Sequence, residues 1–291
     1  MNRAKLFGGL LIAAAPALFV VMSSDWASAG NTPTRGGAQA QVDAPTVAGF
    51  AGAMEQFRWG QSHADVTRLM NQTSGVFDVD YNSQLARMQP GVAMQAVEAE
   101  RDQKKKFFEQ SWVQFNDTPT GFDNTSIKGE YTYRNHESVM YVDRGGKRRY
   151  FFFIGSSPGE RLWKIFDVIP LKQGGLLGAN FQEAVTKLNV QYSVAGRIRA
   201  ANPMGGGPAH TEADWQDGST HLRADDLGDG NVAVILEERN TLNNLAQLRA
   251  NKEVDPLAMD PSIAAITRNG GISDPNAARA HDAGAAQQHH R

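Results

Sequence analysis

Acidic residues near the end of the chain raise the question of calcium binding. The segment 224–238 reads ADDLGDGNVAVILEE, with aspartates where a calcium loop would begin. Counted from Asp225, the third position is Leu227 and the twelfth is Leu236, whereas an EF-hand needs oxygen ligands at both. The flanking residues alternate as strands do and show no helical spacing. The segment is therefore predicted to be an acidic hairpin turn.

Histidine and cysteine usage argues against a metal centre. The chain has seven histidines, but no pair has the four-residue helical spacing of a zinc helix, and no His-Glu-x-x-His segment occurs. There is no cysteine, which excludes thiolate ligands, cysteine nucleophiles and disulfide bonds. The sequence therefore predicts no metal site and no cofactor.

No recognisable hydrolase or nucleotide-binding motif is present. Ser156 and Ser157 lie in Gly-Ser-Ser-Pro-Gly, which is not the Gly-x-Ser-x-Gly turn and lacks the helix that follows it. The glycine run 205–207 ends in Pro208 and has no lysine, so it is not a phosphate loop. Because an active site can be assembled from distant residues, the question of enzymatic activity stays open. A non-enzymatic role is favoured.

A basic turn precedes an aromatic run in KRRYFFFIG, but it does not predict nucleic-acid binding. An RNA-recognition strand needs glycines between its aromatic residues so that bases can stack on them. The formal net charge of -2 also provides no basic field that would attract nucleic acid. The cations Arg144, Lys147, Arg148 and Arg149 are predicted to lie at a solvated hairpin end.

The segments 150–154 and 161–169 are predicted to be neighbouring strands that are apolar on both faces. In YFFFI, Tyr150 and Phe152 point one way and Phe151 the other, and Trp163 lies on the next strand. A strand pair open to water would alternate apolar with polar residues, so both faces must be covered. Helices cover one face. The second unit of the chain, the helix end at Trp112 or a partner protein covers the other.

The N-terminus has the layout of a secretory signal peptide. Arg3 and Lys5 precede the apolar core 6–21, and the small residues Ala27 and Ala29 mark a cleavage site before residue 30. The alternative is a retained membrane anchor, but the core is short for a span of about 20 residues. We therefore expect cleavage of residues 1–29, a periplasmic or secreted protein, and no integral membrane span afterwards.

The predicted organisation is a pair of α-then-β units between disordered tails. Residues 30–45 read as a flexible linker, 46–172 as a first α+β unit with a long helix, 173–254 as a second α+β unit and 255–291 as a largely disordered tail. Each unit is predicted to place helices on an antiparallel meander. The fold class is therefore α+β, with the two units packed together.

Individual elements of the first unit follow from spacing and from breaker residues. Val47, Phe50, Met54 and Phe57 recur at helical spacing, and Gly60 ends that helix. Ser62 caps the next helix, with Asp65 in the place of a capping-box glutamate. A long helix is predicted from Pro90 to about Phe115, with a polar middle and an aromatic end. Segments 127–134 and 137–144 are predicted to form a hairpin.

The piece FRWGQSHADVTRLM (57–70) resembles the entry to periplasmic two-layer α/β modules. Small outer-membrane assembly lipoproteins of the SmpA/BamE type and PepSY-like modules have a similar turn, helix and meander. The chain departs from the lipoproteins in lacking a lipid-bearing cysteine, and from both groups in its long helix before the strands. The resemblance implies a non-catalytic protein-binding module, here in tandem, with Gly60 as a turn residue and Ser62 as a cap.

These observations favour an exported, non-catalytic binding or assembly module of the bacterial envelope. Its partner would be another envelope or secreted protein, or a second copy of this chain. The alternatives are a carrier of an apolar small molecule or lipid, and a hydrolase without a recognisable motif. The predicted binding residues are Tyr150, Phe152, Trp163 and Trp112.

Overall fold

The computed structural model describes residues 44–156 and 159–251, so the predicted signal peptide, almost all of the linker and the C-terminal tail lie outside the described residues. Helices dominate the first part of this region. They are α1 (Ala51–Met54), α2 (His63–Asn71), α3 (Val76–Leu85) and α4 (Val92–Gln110), followed later by α5 (Phe181–Tyr192), α6 (Arg239–Asn243) and α7 (Leu245–Leu248).

The strands form one eight-stranded antiparallel sheet. In chain order they are β1 (Val113–Gln114), β2 (Glu137–Arg144), β3 (Lys147–Ile154), β4 (Arg161–Pro170), β5 (Arg197–Arg199), β6 (Glu212–Gln216), β7 (Thr220–Asp226) and β8 (Asn231–Glu238). Their spatial order is β1-β2-β3-β4-β8-β7-β6-β5. Two four-stranded meanders are thus joined edge to edge between β4 and β8. The α+β prediction is confirmed, and the unit boundary near Gln173 stays a prediction.

One face of the sheet carries helices α1 to α5. Helices α2 to α5 contribute Val66, Phe77, Phe108 and Val185 to a core that includes Phe151 of β3. All five side chains are at most 4% exposed. The core continues across both meanders on this face, because Leu162, Trp215 and Leu236 belong to the same cluster.

The other face of the first meander is covered by the chain's own loop. The segment from Phe115 to Tyr133 lies over β2, β3 and β4, and the ring of Phe115 stacks on Tyr131 with centroids 3.7 Å apart. Leu245 and Leu248 of α7, from the second predicted unit, pack against the same cluster. Both faces of the aromatic strands are therefore covered, as the alternation of residues predicted.

Three predicted elements differ in the structure. Segment 127–134 is not a strand: Gly129 adopts φ 92°, Ile127 and Tyr131 turn inward, and the short β1 pairs with β2 in its place. The long helix ends at Gln110, so Phe115 lies beyond it and packs on the opposite face from Phe108. The predicted helix over residues 47–57 contains only the four-residue α1.

The start of α2 agrees with its prediction. Ser62 accepts a hydrogen bond from the Asp65 N–H at 3.1 Å, and the Asp65 carboxylate accepts one from the Ser62 N–H at 3.2 Å. The hydrogen bonds that the Asp65 carboxylate accepts from the Ser62 hydroxyl, at 2.9 Å, and from the Ser62 N–H lower the pKa of Asp65, which is otherwise a surface group. Gly60 adopts φ 84°, a conformation that favours glycine. In residues 44–156 and 159–251, no helix has the length and hydrophobicity needed to cross a bilayer.

Candidate functional site

The outer edge of β2 is only partly paired. The two residues of β1 pair with Val139 and Ser138, and helix α4, which precedes β1, ends beside Tyr141. Backbone groups of an antiparallel strand face alternate sides at successive residues. The Phe115 N–H donates to the Glu137 C=O at 2.9 Å, so the backbone groups of Glu137 face the β1 side. Tyr141 and Asp143 lie an even number of residues further along β2, so their backbone groups face this same side.

Beyond β1, this edge is open. The Tyr141 N–H donates to the Ser111 Oγ at 3.0 Å. Ser111 is the C-cap residue of α4, so this bond joins the end of α4 to β2. Within the described residues, no backbone group pairs with the C=O of Tyr141 or with the N–H and C=O of Asp143 on this side. Three backbone groups are thus available to an incoming strand.

A groove of about 520 Å³ runs beside this edge. It lies between the C-terminal half of α4 and β2, and it is lined by Lys104, Phe107, Phe108, Gln110, Ser111, Tyr141, Val142 and Asp143. Phe108 is 1% exposed because it packs into the core. Consecutive helical residues point about 100° apart, so Phe107 faces out of that core and is 58% exposed. The groove therefore has an apolar wall beside unpaired backbone.

Charges at the groove rim are held in local pairs. Arg148 donates to Asp143 at 2.7 Å and 2.8 Å and lies over the Tyr141 ring at 5.3 Å. The hydrogen bond from Arg148 lowers the pKa of Asp143. On α4, contact with Tyr81 and then with Glu100 raises the pKa of Lys104. The side chains around the groove are therefore ionised, but their net charge is close to zero.

The other basic residues of the turn are also paired. Arg144 contacts Glu55 at 2.7 Å and Asp80 at 2.5 Å. Arg149 contacts Asp167 at 2.7 Å, and Lys147 contacts the same carboxylate at 2.6 Å. These cations hold the hairpin end to its neighbours. They present no cluster of uncompensated charge, such as a phosphate backbone would require.

The predicted binding residues fall on two faces. Tyr150, Phe152 and Trp163 belong to the cluster under the 115–133 segment and are at most 3% exposed. Trp112 is half-buried on the helical face, where its ring stacks on His63 at 4.1 Å. A ligand could reach the first three only by displacing the covering segment. Their role in binding stays a prediction.

Sequence reasoning missed Phe107, although the pair Phe107-Phe108 on one helix signals one ring facing outward.

Groups that could support catalysis or metal binding are sparse. Among residues 44–156 and 159–251, no set of three or more His, Asp or Glu side chains is placed to hold a metal ion. His63 Nδ1 contacts Glu160 Oε1 at 2.6 Å, which resembles a base and its orienting carboxylate. In this part of the chain no serine or threonine hydroxyl hydrogen-bonds His63. A nucleophile–base pair is therefore not assembled there.

Comparisons with protein-family models, curated proteins and solved structures found no match. The function has to be inferred from the geometry of the chain's own residues.

Proposed function

We propose that this chain is an exported, non-catalytic binding module of the bacterial envelope. It takes an extended segment of another polypeptide as an added strand on the open edge of β2. The observation that carries the proposal is that the Tyr141 C=O and the Asp143 N–H and C=O, beside the groove of Phe107, have no backbone partner among the described residues.

Strand addition fits the chemistry of this edge. Exposed sheet edges are templates for pairing, and natural proteins usually protect them with charges, bulges or a covering element. Here β1 covers Ser138 and Val139 only. An incoming strand would lie beside Asp143, and its backbone would hydrogen-bond to the Asp143 N–H and C=O and to the Tyr141 C=O. Main-chain bonds supply affinity in this mode, and pockets for alternate side chains supply specificity.

The groove indicates what the segment carries. Phe107 and Phe108 line one wall, so an apolar side chain of the segment would pack there. The Asp143–Arg148 pair lies at the other wall and is exposed, so it offers little net charge to attract or repel a partner. The preferred segment is therefore extended, with an apolar residue opposite the groove, and not strongly charged.

The two alternatives have weaker support. A carrier of apolar molecules would use the aromatic cluster, but Phe152 and Trp163 are fully buried against the chain's own residues. A hydrolase would use His63 with Glu160, and in the described residues this pair lacks a hydroxyl partner.

Peptide selection tests the proposal. Extended peptides displayed on phage would be selected against residues 30–291, and the Kd of the best peptide measured by calorimetry. Asp143→Pro removes the outward N–H, and proline is tolerated on an edge strand where that group faces solvent. We expect Asp143→Pro to weaken the peptide by about tenfold, which is the value of a lost hydrogen bond or two.

Matched variants separate this effect from side-chain effects. Asp143→Ala keeps the N–H and loses only the exposed Arg148 pair, so its Kd should stay within about twofold of wild type. Phe107→Ser should weaken binding, and Val92→Ser, which changes an 84% exposed residue elsewhere on α4, should not. Wild-type affinity in a folded Asp143→Pro variant would contradict strand addition.

The export part of the proposal rests on residues 1–29 and has its own test. Edman degradation of the protein from its host's envelope fraction should begin at Gly30. A first residue at Met1 in that fraction would support a retained anchor in place of a cleaved signal.

A further inference from the structure

A second pocket lies at the end of the sheet where β2 begins and β3 ends, and it shares no lining residue with the groove beside β2. Its volume is about 240 Å³. It is lined by Trp112, Gln114, Asn116, His136, Glu137, Ser138, Gly155, Ser156 and Glu160. Apart from Trp112 and one glycine, the lining residues are polar, and they include both hydrogen-bond donors and acceptors.

The carboxylate of Glu160 is the unusual group in this pocket. Its side chain is 4% exposed. Oε1 is held by His63 at 2.6 Å, whereas Oε2 is buried and has no hydrogen-bond partner among the residues that the structure describes. A buried carboxylate oxygen without a donor is costly, because its hydration is lost without replacement. A donor from a bound molecule would remove that cost.

Elements identified from the sequence hold this carboxylate in place. The capping box at Ser62 makes His63 the first residue of α2. The Leu162 N–H donates to the Gln61 C=O at 2.7 Å, and the Gly60 N–H donates to the Leu162 C=O at 3.0 Å. These bonds fasten the turn before α2 to the start of β4, where Glu160 lies. Trp112 then stacks on the outer face of His63.

The backbone beside the pocket is strained. Arg134 and His136 adopt φ values of 65° and 55°, which are unusual for residues other than glycine. Asn135 between them is buried, and its Nδ2 donates to the Asn251 C=O at 3.1 Å. This arrangement brings His136 to the pocket wall. Strained residues that the surroundings hold in place tend to occur at ligand sites.

We infer that this pocket binds a small polyhydroxylated molecule of roughly monosaccharide size, with Glu160 accepting a hydrogen bond from a ligand hydroxyl. A hydroxyl both donates and accepts, which suits a wall of amides, serines and a carboxylate. An ammonium ion could satisfy Oε2 but has no acceptor for the pocket's donors. The inference does not depend on strand addition at β2.

Probe titrations of the full chain test this inference. Glucose, N-acetylglucosamine and putrescine would each be titrated, with the indole N–H signal of Trp112 followed by NMR. At least one sugar should shift that signal in a saturable way. Glu160→Gln should weaken the sugar by about tenfold or more, because a charge-assisted hydrogen bond is lost.

Two further variants keep the test decisive. Gln114→Ala changes an exposed wall residue, so it should weaken the sugar several-fold without unfolding the chain. Asp102→Asn, an exposed carboxylate on α4, should leave the affinity unchanged. Titrations in which no sugar shifts Trp112, in which only putrescine does, or in which Glu160→Gln and Gln114→Ala bind the sugar as wild type does, would each overturn the inference.

Discussion

The sheet face opposite the helices has two halves that are built from different chemistry. The aromatic half, on β2 to β4, contains Tyr150, Phe152, Trp163 and Phe166 under the 115–133 loop. The ionic half, on β5 to β8 and the adjoining part of β4, carries charged side chains in cross-strand pairs. Its members are Lys164, Arg197, Arg199, Glu212, Asp214, His221, Arg223, Asp225 and Glu237, with Glu130 reaching over from the loop.

The ionic half is organised as a two-dimensional network. Arg223 contacts Glu130 at 2.7 Å and also pairs with Asp225 and Glu237. Lys164 contacts Glu130 at 2.6 Å and Glu237 at 3.3 Å. Burial opposes ionisation of Glu130, but Arg223 and Lys164 outweigh it and lower its pKa to about 2. Most of these charges are removed from water and compensate one another.

The comparison shows that one sheet can bury its two halves in different ways. The aromatic half gains from apolar area and shape, so its stability should depend on side-chain volume. The ionic half gains only if every charge keeps its partner, because an unpaired buried charge is strongly unfavourable. Lys164 and Glu130 join the halves, since Lys164 also lies over the Trp163 ring at 4.4 Å. The two halves should therefore respond differently to mutation and to pH.

The largest effect is expected in the aromatic half. Phe152→Ser removes a fully buried ring and leaves a cavity with a hydroxyl in it, which should lower the free energy of unfolding by about 4–5 kcal/mol. Urea unfolding measures the change. Trp163→Phe is the matched control. It keeps most of the volume and removes a buried Nε1 that has no partner among the described residues, so it should cost about 1 kcal/mol or less. Equal losses in the two variants would contradict the volume argument.

A somewhat smaller effect is expected in the ionic half. Arg223→Met leaves Glu130 and Glu237 with one cation fewer, which should lower the free energy of unfolding by about 3 kcal/mol. The double variant with Glu130→Gln should recover part of that loss, because one carboxylate then no longer needs a partner. Urea unfolding of the four species gives the coupling energy. Strict additivity would show that the network is not a unit.

The smallest effect is a pH dependence specific to the ionic half. Burial raises the pKa of Asp225 from 3.8 to about 7. Arg223 opposes this rise, whereas Glu130, Glu212 and Glu237 add to it. Burial opposes protonation of His221, but Asp214 and Glu237 outweigh it and raise its pKa from 6.5 to about 9. Both shifts stabilise the protonated folded state. Stability should therefore fall by about 1 kcal/mol for each pH unit as the pH rises from about 5 to 9.

Two variants separate the contributions of Asp225 and His221 to this pH dependence. Asp225→Asn should flatten the part of the stability curve below about pH 7, where only the folded state keeps that proton. His221→Gln should flatten the part between about pH 6.5 and 9. At the acid end the sign reverses, because the hydrogen bonds from His221 and Arg197 lower the pKa of Asp214 to about 2. A wild-type curve that is level from pH 5 to 9 would contradict these assignments.

The sequence predicted the parts of this fold that depend on local patterns. The Ser62 cap, the hairpin end between Arg144 and Lys147 and the strands over Phe151 and Ile165 follow from spacing and turn chemistry, which act over a few residues. The double burial of the aromatic strands was also predictable, because apolar residues occupy both sides of each strand. These features need no knowledge of distant parts of the chain.

The site depended on distant contacts and was not predictable. Segment 127–134 has the composition of a strand, yet it covers the sheet because Phe115 and Tyr131 pack together beneath it. The ionic half cannot be predicted from the sequence, since Arg197, Asp214 and Arg223 come together only through the register of three strands. The open edge of β2 likewise results from where β1 begins. That point is set by how α4 packs, not by any motif.

Amide hydrogen exchange at Asp143 tests the central claim most directly. The measurement compares the full chain alone with the chain bound to its selected peptide. Strand addition predicts that the Asp143 amide exchanges rapidly in the free chain and at least about tenfold more slowly in the complex, because the N–H then pairs with the peptide. Slow exchange in the free chain would show that the edge is already covered. An unchanged rate in the complex would place the peptide elsewhere.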